Sequence, residues 1–143
     1  MNSYRKETNA PLPGFPAFRR FKNFFRKGWI EMIETKAKIE LPACPVETTL
    51  TLIGDKWKVL ILRDLLPGTK RFGELKKSVG NVSQKVLTAQ LRAMEENGLV
   101  HREVYAEVPP RVEYSLTELG KSLKPILDSM WAWGEEYKSL MSE

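Results

Sequence analysis

Residues 71–117 read RFGELKKSVGNVSQKVLTAQLRAMEENGLVHREVYAEVPPRVEYSLT, and the succession of elements in this stretch decides the fold. Phe72, Leu75 and Val79 recur at helical spacing and predict a helix of about two turns, bounded by Gly80-Asn81. Ser83 is a helix N-cap by type, and Val86, Leu87, Leu91 and Met94 are the expected buried face of a second helix that Asn97-Gly98 stops. Two strands are expected over Val100–Tyr105 and Val112–Leu116, where Val100, Val104, Val112, Tyr114 and Leu116 stand at alternate positions. Pro109-Pro110 cannot donate ladder hydrogen bonds, so Glu107 to Arg111 is expected to form the tip of a hairpin. A short helix, a tight turn, a capped second helix and a hairpin make a winged helix-turn-helix.

Upstream, Val46, Leu50, Ile53, Trp57, Leu60, Ile61 and Leu65 fall three or four residues apart. Gly54 interrupts them and Asp55 can cap, so the spacing predicts two helices, about 46–53 and 55–66, ended by Pro67-Gly68. Downstream, Thr117 caps a helix, and a last helix after Pro125 carries Ile126, Leu127, Met130, Trp131, Tyr137, Leu140 and Met141. The fold class is therefore mainly α with a small β-hairpin wing, an α+β winged helix-turn-helix over residues 41–143. Met130, Trp131, Trp133, Tyr137, Leu140 and Met141 offer more apolar surface than one face of a small domain needs. The last helix is accordingly expected to seal a homodimer, the plainer alternative being a helix folded back on its own core.

Residues 1–40 read differently, with Pro11, Pro13, Gly14 and Pro16 followed by the basic and aromatic run Phe18 to Trp29. This extension suits a basic arm for DNA phosphates or a helix packed on the domain. A third reading makes Met32 the natural start, because the codons for Arg26-Lys27-Gly28-Trp29 are purine-rich, as a translated ribosome-binding site would be.

The net charge of +5 lies entirely in those first 40 residues, with nine Lys or Arg against four Glu, and the rest is formally neutral. Within that neutral block, residues 55–92 hold nine basic residues against Asp55, Asp64 and Glu74, whereas Lys121 to Glu143 is slightly acidic. The distribution, more than the total, points to nucleic acid. The sequence offers neither a long apolar run nor a leader-like start, so a cytoplasmic protein without membrane contact is expected. One cysteine, Cys44, excludes a disulfide framework, and with a single histidine, His101, no metal site or other cofactor is expected. His101 is assigned no role. The same poverty of nucleophiles, bases and paired acids gives no recognisable catalytic group, and no enzyme is expected.

In a winged helix-turn-helix the first turns of the second helix enter the major groove, so its outward side chains must reach base edges and phosphates. Ser83, Gln84, Lys85, Thr88, Ala89 and Arg92 lie opposite Leu87, Leu91 and Met94, and most are of that kind. Gln84 suits adenine, and Lys85 suits guanine or a phosphate. Arg71, Lys76 and Lys77 on the preceding helix would meet the DNA backbone, and Arg111, stiffened by Pro109-Pro110, would reach a phosphate or the minor groove. Each of these alone is as readily a solvated surface residue; together on one face they indicate double-stranded DNA. The competing reading is a protein-interaction module that uses the winged fold without DNA.

Cys44-Pro45-Val46, Leu52-Ile53-Gly54-Asp55-Lys56-Trp57 and Leu60-Ile61-Leu62 resemble the opening of HxlR-type regulators. Arg71-Phe72-Gly73-Glu74-Leu75, Leu87-Thr88 with Leu91, Asn97-Gly98-Leu99-Val100, and Pro110-Arg111-Val112-Glu113-Tyr114-Ser115-Leu116-Thr117 with Gly120 are similar to the later blocks in order and spacing. The resemblance spans about residues 41–140 and implies a bacterial homodimeric regulator that binds a pseudo-palindromic operator. It also implies dimer contacts from the first and last helices, adding Val46 and Leu50 to the apolar set of the last. The basic extension has no counterpart in the pattern, which favours Met32 as the start. Some members sense oxidants or electrophiles through a cysteine just before this Pro-Val. Cys44 is thereby either a sensor or a structural residue, and the inducer is a redox or small-molecule signal.

Overall fold

A computed structural model of the chain describes residues 40–142. The expectations for the basic extension, including the Met32 start, lie outside the described residues.

The elements run α1 (Pro45–Ile53), α2 (Lys56–Leu65), β1 (Lys70–Arg71), α3 (Phe72–Val79), α4 (Gln84–Glu96), β2 (Val100–Tyr105), β3 (Arg111–Leu116), α5 (Glu118–Lys121) and α6 (Lys124–Met141). Local chemistry sets most of these boundaries. Pro45 lies in the first turn of α1, where a missing N–H has no helical partner to lose. Asp55 accepts a hydrogen bond from the Trp57 N–H at 2.8 Å and starts α2. Ser83 Oγ accepts from the Val86 N–H at 3.2 Å and starts α4. Between α3 and α4 the chain reverses at Gly80, whose φ of 104° is in the region that L side chains avoid. Thr117 joins the wing to α5, since its Oγ1 accepts from the Gly120 N–H at 3.1 Å while its own N–H donates to the Leu99 carbonyl at 3.1 Å.

The three strands form one antiparallel sheet in the order β1-β3-β2. β3 is central, with Arg71 opposite Glu113 on one side and Glu103 opposite Glu113 on the other. The inner face of the sheet contributes Val100, Tyr114 and Leu116 to the core. Ile61, Leu62 and Leu65 of α2, Leu75 and Val79 of α3, and Leu87, Leu91 and Met94 of α4 fill most of the rest, with Val82 and Leu99 from the segments flanking α4. Burying each such side chain contributes about 1.5–3 kcal/mol. This packing fixes α3 and α4 against each other and sets the wing beside them. From α6 only Leu127 is buried, and from α1 only Ile53.

Several expectations need correction. Val86 is not part of the buried face: it is 36% exposed, and the apolar seat at that end of α4 is taken by Val82, just before the cap. β1 has no counterpart among the expected strands; it is two residues long and exists because Lys70 and Arg71 pair with Tyr114 and Glu113. Arg71 therefore lies in β1 at the N-cap of α3, one residue ahead of the helix expected to carry it. The last helix begins at Lys124, with Pro125 in its first turn. Arg111 is not in the hairpin tip but is the first residue of β3, facing Tyr105 across the ladder.

Candidate nucleic-acid interface

α4 presents two chemically distinct sides. Leu87, Leu91 and Met94 are buried, and on the other side Ser83, Gln84, Lys85, Ala89 and Arg92 are exposed, with Thr88 half-buried. The Thr88 hydroxyl donates to the Gln84 carbonyl at 2.8 Å, which leaves its oxygen free to accept. Lys76 and Lys77 occupy the exposed side of α3, and among the described residues neither they nor Lys85 and Arg92 form an ion pair. The structure thus brings Gln84, Lys85, Thr88 and Arg92 onto one open helical face, next to the basic end of α3. A convex helix edged with unpaired cations is suited to a polyanion groove.

Other cations of the basic segment are already engaged. Arg63 lies 2.6 Å from Asp64, and this hydrogen bond, with the Coulombic attraction of the same carboxylate, holds the guanidinium above its ordinary pKa against the opposing effect of burial. Arg71 donates its backbone N–H to Glu74 Oε2 at 2.7 Å, which secures the start of α3, while its guanidinium, 4.0 Å from Glu113, stays 58% exposed and open to a further partner. Arg111 is the most enclosed of the expected cationic contacts. Nη1 and Nη2 lie 3.0 Å from Glu113 and 3.1 Å from Glu107, and the guanidinium lies 3.9 Å from the centroid of the Tyr105 ring. Tyr105, Glu107 and Glu113 are not among the residues expected from sequence, although the two-residue spacing of Arg111 and Glu113 on a strand places them on one face.

The expected dimer residues Val46, Leu50, Met130, Trp131, Trp133, Tyr137, Leu140 and Met141 are all exposed in the single chain. Val46 and Leu50 of α1 meet Ile126 and Met130 of α6 around an apolar groove of about 700 Å³. On α6 the rings of Trp133 and Tyr137 stack at 5.3 Å with 11° between planes. Cys44 is exposed and forms the N-cap of α1, its carbonyl accepting the Thr48 N–H at 3.0 Å. Among the described residues no cluster of His, Cys, Asp and Glu could hold a metal ion, and no helix is long and apolar enough to cross a membrane.

The sequence profile of the HxlR-like helix-turn-helix family matches residues 52–142. The HTH-type transcriptional regulator YdeP of Bacillus subtilis (strain 168) is 52% identical over 99 residues, which cover 69% of this chain and 77% of that protein. Among solved structures, the redox regulator HypR in its oxidized form is 52% identical with a TM-score of 0.62, covering 65% of this chain and 96% of that one. The reduced form of HypR gives 47% identity and a TM-score of 0.66, over 69% of this chain and 98% of that one.

Proposed function

Since the chain belongs to the HxlR-like helix-turn-helix family, we propose that it regulates transcription as a homodimer that docks one α4 per protomer into the major groove of a pseudo-palindromic operator. The observation that carries this reading is the open face of α4, where Gln84, Lys85, Thr88 and Arg92 stand opposite a fully buried Leu87, Leu91 and Met94. Gln84 reads adenine, and Lys85 takes guanine or a phosphate, with Ser83 beside them at the start of the helix. Lys76, Lys77 and Arg71 hold the register on the phosphate backbone. Arg111, with its guanidinium engaged inside the wing, does not belong to this phosphate set. Two-fold symmetry is supported by the apolar residues of α1 and α6, whose exposure in one chain a second copy would relieve.

Regulation enters through Cys44. It is exposed at the N-cap of α1, where oxidants reach the sulfur, and HypR, alike over most of its length, is by name a redox regulator. Modification there perturbs the lead into α1 and, through the α1–α6 seam, the spacing of the two recognition helices. The protein works in the cytoplasm, as a binding protein without a catalytic step.

The test is operator binding by Gln84→Ala and Lys85→Ala in gel-shift titrations on the promoter region beside the gene. Each lost base contact should cost about 1–3 kcal/mol, concentrated at one base position of each half-site. Undiminished affinity in the double variant would remove this face of α4 from the interface, and no binding of the duplex by wild type would leave the winged fold as a protein-interaction module.

A further inference from the structure

Glu113 is the hub of the wing. Its Oε1 is shared by two arginines, lying 3.0 Å from Arg111 Nη1 and 4.0 Å from Arg71 Nε. The ladder also sets Glu103 directly opposite Glu113, and like charges at that spacing repel unless a cation lies with them. Arg111 supplies that charge on the Glu113 side, while Glu103 hydrogen-bonds His101 Nε2 at 2.9 Å. Arg111 is held further by Glu107 at 3.1 Å and by the Tyr105 ring at 3.9 Å, and its Nε is buried with no hydrogen-bond partner. The side chains of Arg111 and Glu113 are 28% and 20% exposed, so solvent and salt screen this pair less than an ordinary surface ion pair. Swinging Arg111 out to a phosphate would leave Glu107 unpaired and Glu113 with only Arg71, at 4.0 Å, beside a polyanion.

We propose that Arg111 and Glu113 are positioning residues of the DNA interface: the pair ties the central strand of the wing to Arg71 at the start of α3, and Arg111 neutralises no phosphate itself. The inference rests on the DNA-binding reading above. The wing and the α3–α4 unit then meet the duplex as one preorganised surface, and the binding energy lost without the pair is that of misaligned neighbours.

The experiment measures affinity for a duplex of the promoter region at several salt concentrations, for wild type and for Arg111→Ala, Arg111→Lys, Glu113→Gln and the double variant Arg111→Ala/Glu113→Gln. Circular dichroism confirms that each is folded at the assay temperature. Arg111→Lys keeps the charge that a phosphate needs but lacks the planar fork that reaches Glu113 and Glu107 through separate nitrogens while lying on the Tyr105 ring, and it carries the test if the alanine variant does not fold. A positioning role predicts an affinity loss of about tenfold in each single variant, with the slope of log affinity against log salt unchanged. It also predicts that adding Glu113→Gln to Arg111→Ala causes no further loss, because the pair acts as one unit. A slope flattened by about one unit in Arg111→Ala, or wild-type affinity in Arg111→Lys, would show a direct phosphate contact and overturn the proposal. Lys85→Ala separates the two levels: a loss there, with all wing variants like wild type, overturns the positioning role alone. No binding of the duplex by wild type overturns both.

Discussion

Gly120 shows how a single missing atom shapes the junction between wing and last helices. A Cβ at this position would collide with the Leu99 carbonyl oxygen, which already accepts the Thr117 N–H at 3.1 Å and cannot retreat without losing it. Gly120→Ala is expected to lower stability by about 2–3 kcal/mol in urea denaturation. Gly73, in α3, is the contrast, because a Cβ there meets nothing within 4 Å. Gly73→Ala should raise stability by up to about 1 kcal/mol, the ordinary helical preference for Ala over Gly. Neither outcome is legible in the spacing of the sequence, since Leu99 and Gly120 come together only when the hairpin closes. The same holds for Arg111. Its neighbours in sequence are prolines, which suggest a stiff projecting tip, whereas its neighbours in space are Tyr105, Glu107 and Glu113.

Elements with their own periodicity or cap are readable from sequence. α4 is fixed by Ser83, by Leu87, Leu91 and Met94, and by the stop at Asn97-Gly98, and its outward polar face comes with it. β1 is not readable, because two residues have no period and owe their conformation to β3. α6 raises the opposite question. Its 18 residues bury only Leu127, which leaves Trp131, Trp133, Tyr137, Leu140 and Met141 facing water in one chain. Aromatic anchors of this kind dominate many interfaces. Trp131→Ala with Leu140→Ala is expected to shift the protein toward monomer in sedimentation, and to weaken operator binding through the loss of two-site attachment. A double variant that sediments wholly as a dimer would place the seam elsewhere.

At the scale of the whole molecule, in the homodimer proposed above Cys44 would act on the two α4 helices only through α1 and whatever packs on it. Cys44 has no second cysteine in the chain, so an oxidant yields a sulfenic acid, a mixed disulfide with a small thiol or a disulfide between subunits, and an electrophile yields an adduct. Treatment with diamide or a quinone is expected to abolish operator binding by wild type and to leave Cys44→Ser unaffected. Equal behaviour of the two proteins would make Cys44 structural and place the inducer elsewhere. The exposed indoles of α6 have an optical consequence. Trp131 and Trp133 are each 67% exposed in the single chain, and a water-facing indole emits at longer wavelength than an enclosed one. If a second copy covers them, the intrinsic fluorescence of the protein should move to the blue as concentration rises and return to the red on dilution. Trp131 and Trp133 would then serve as an unlabelled reporter of association, readable in the same cuvette in which oxidant is added.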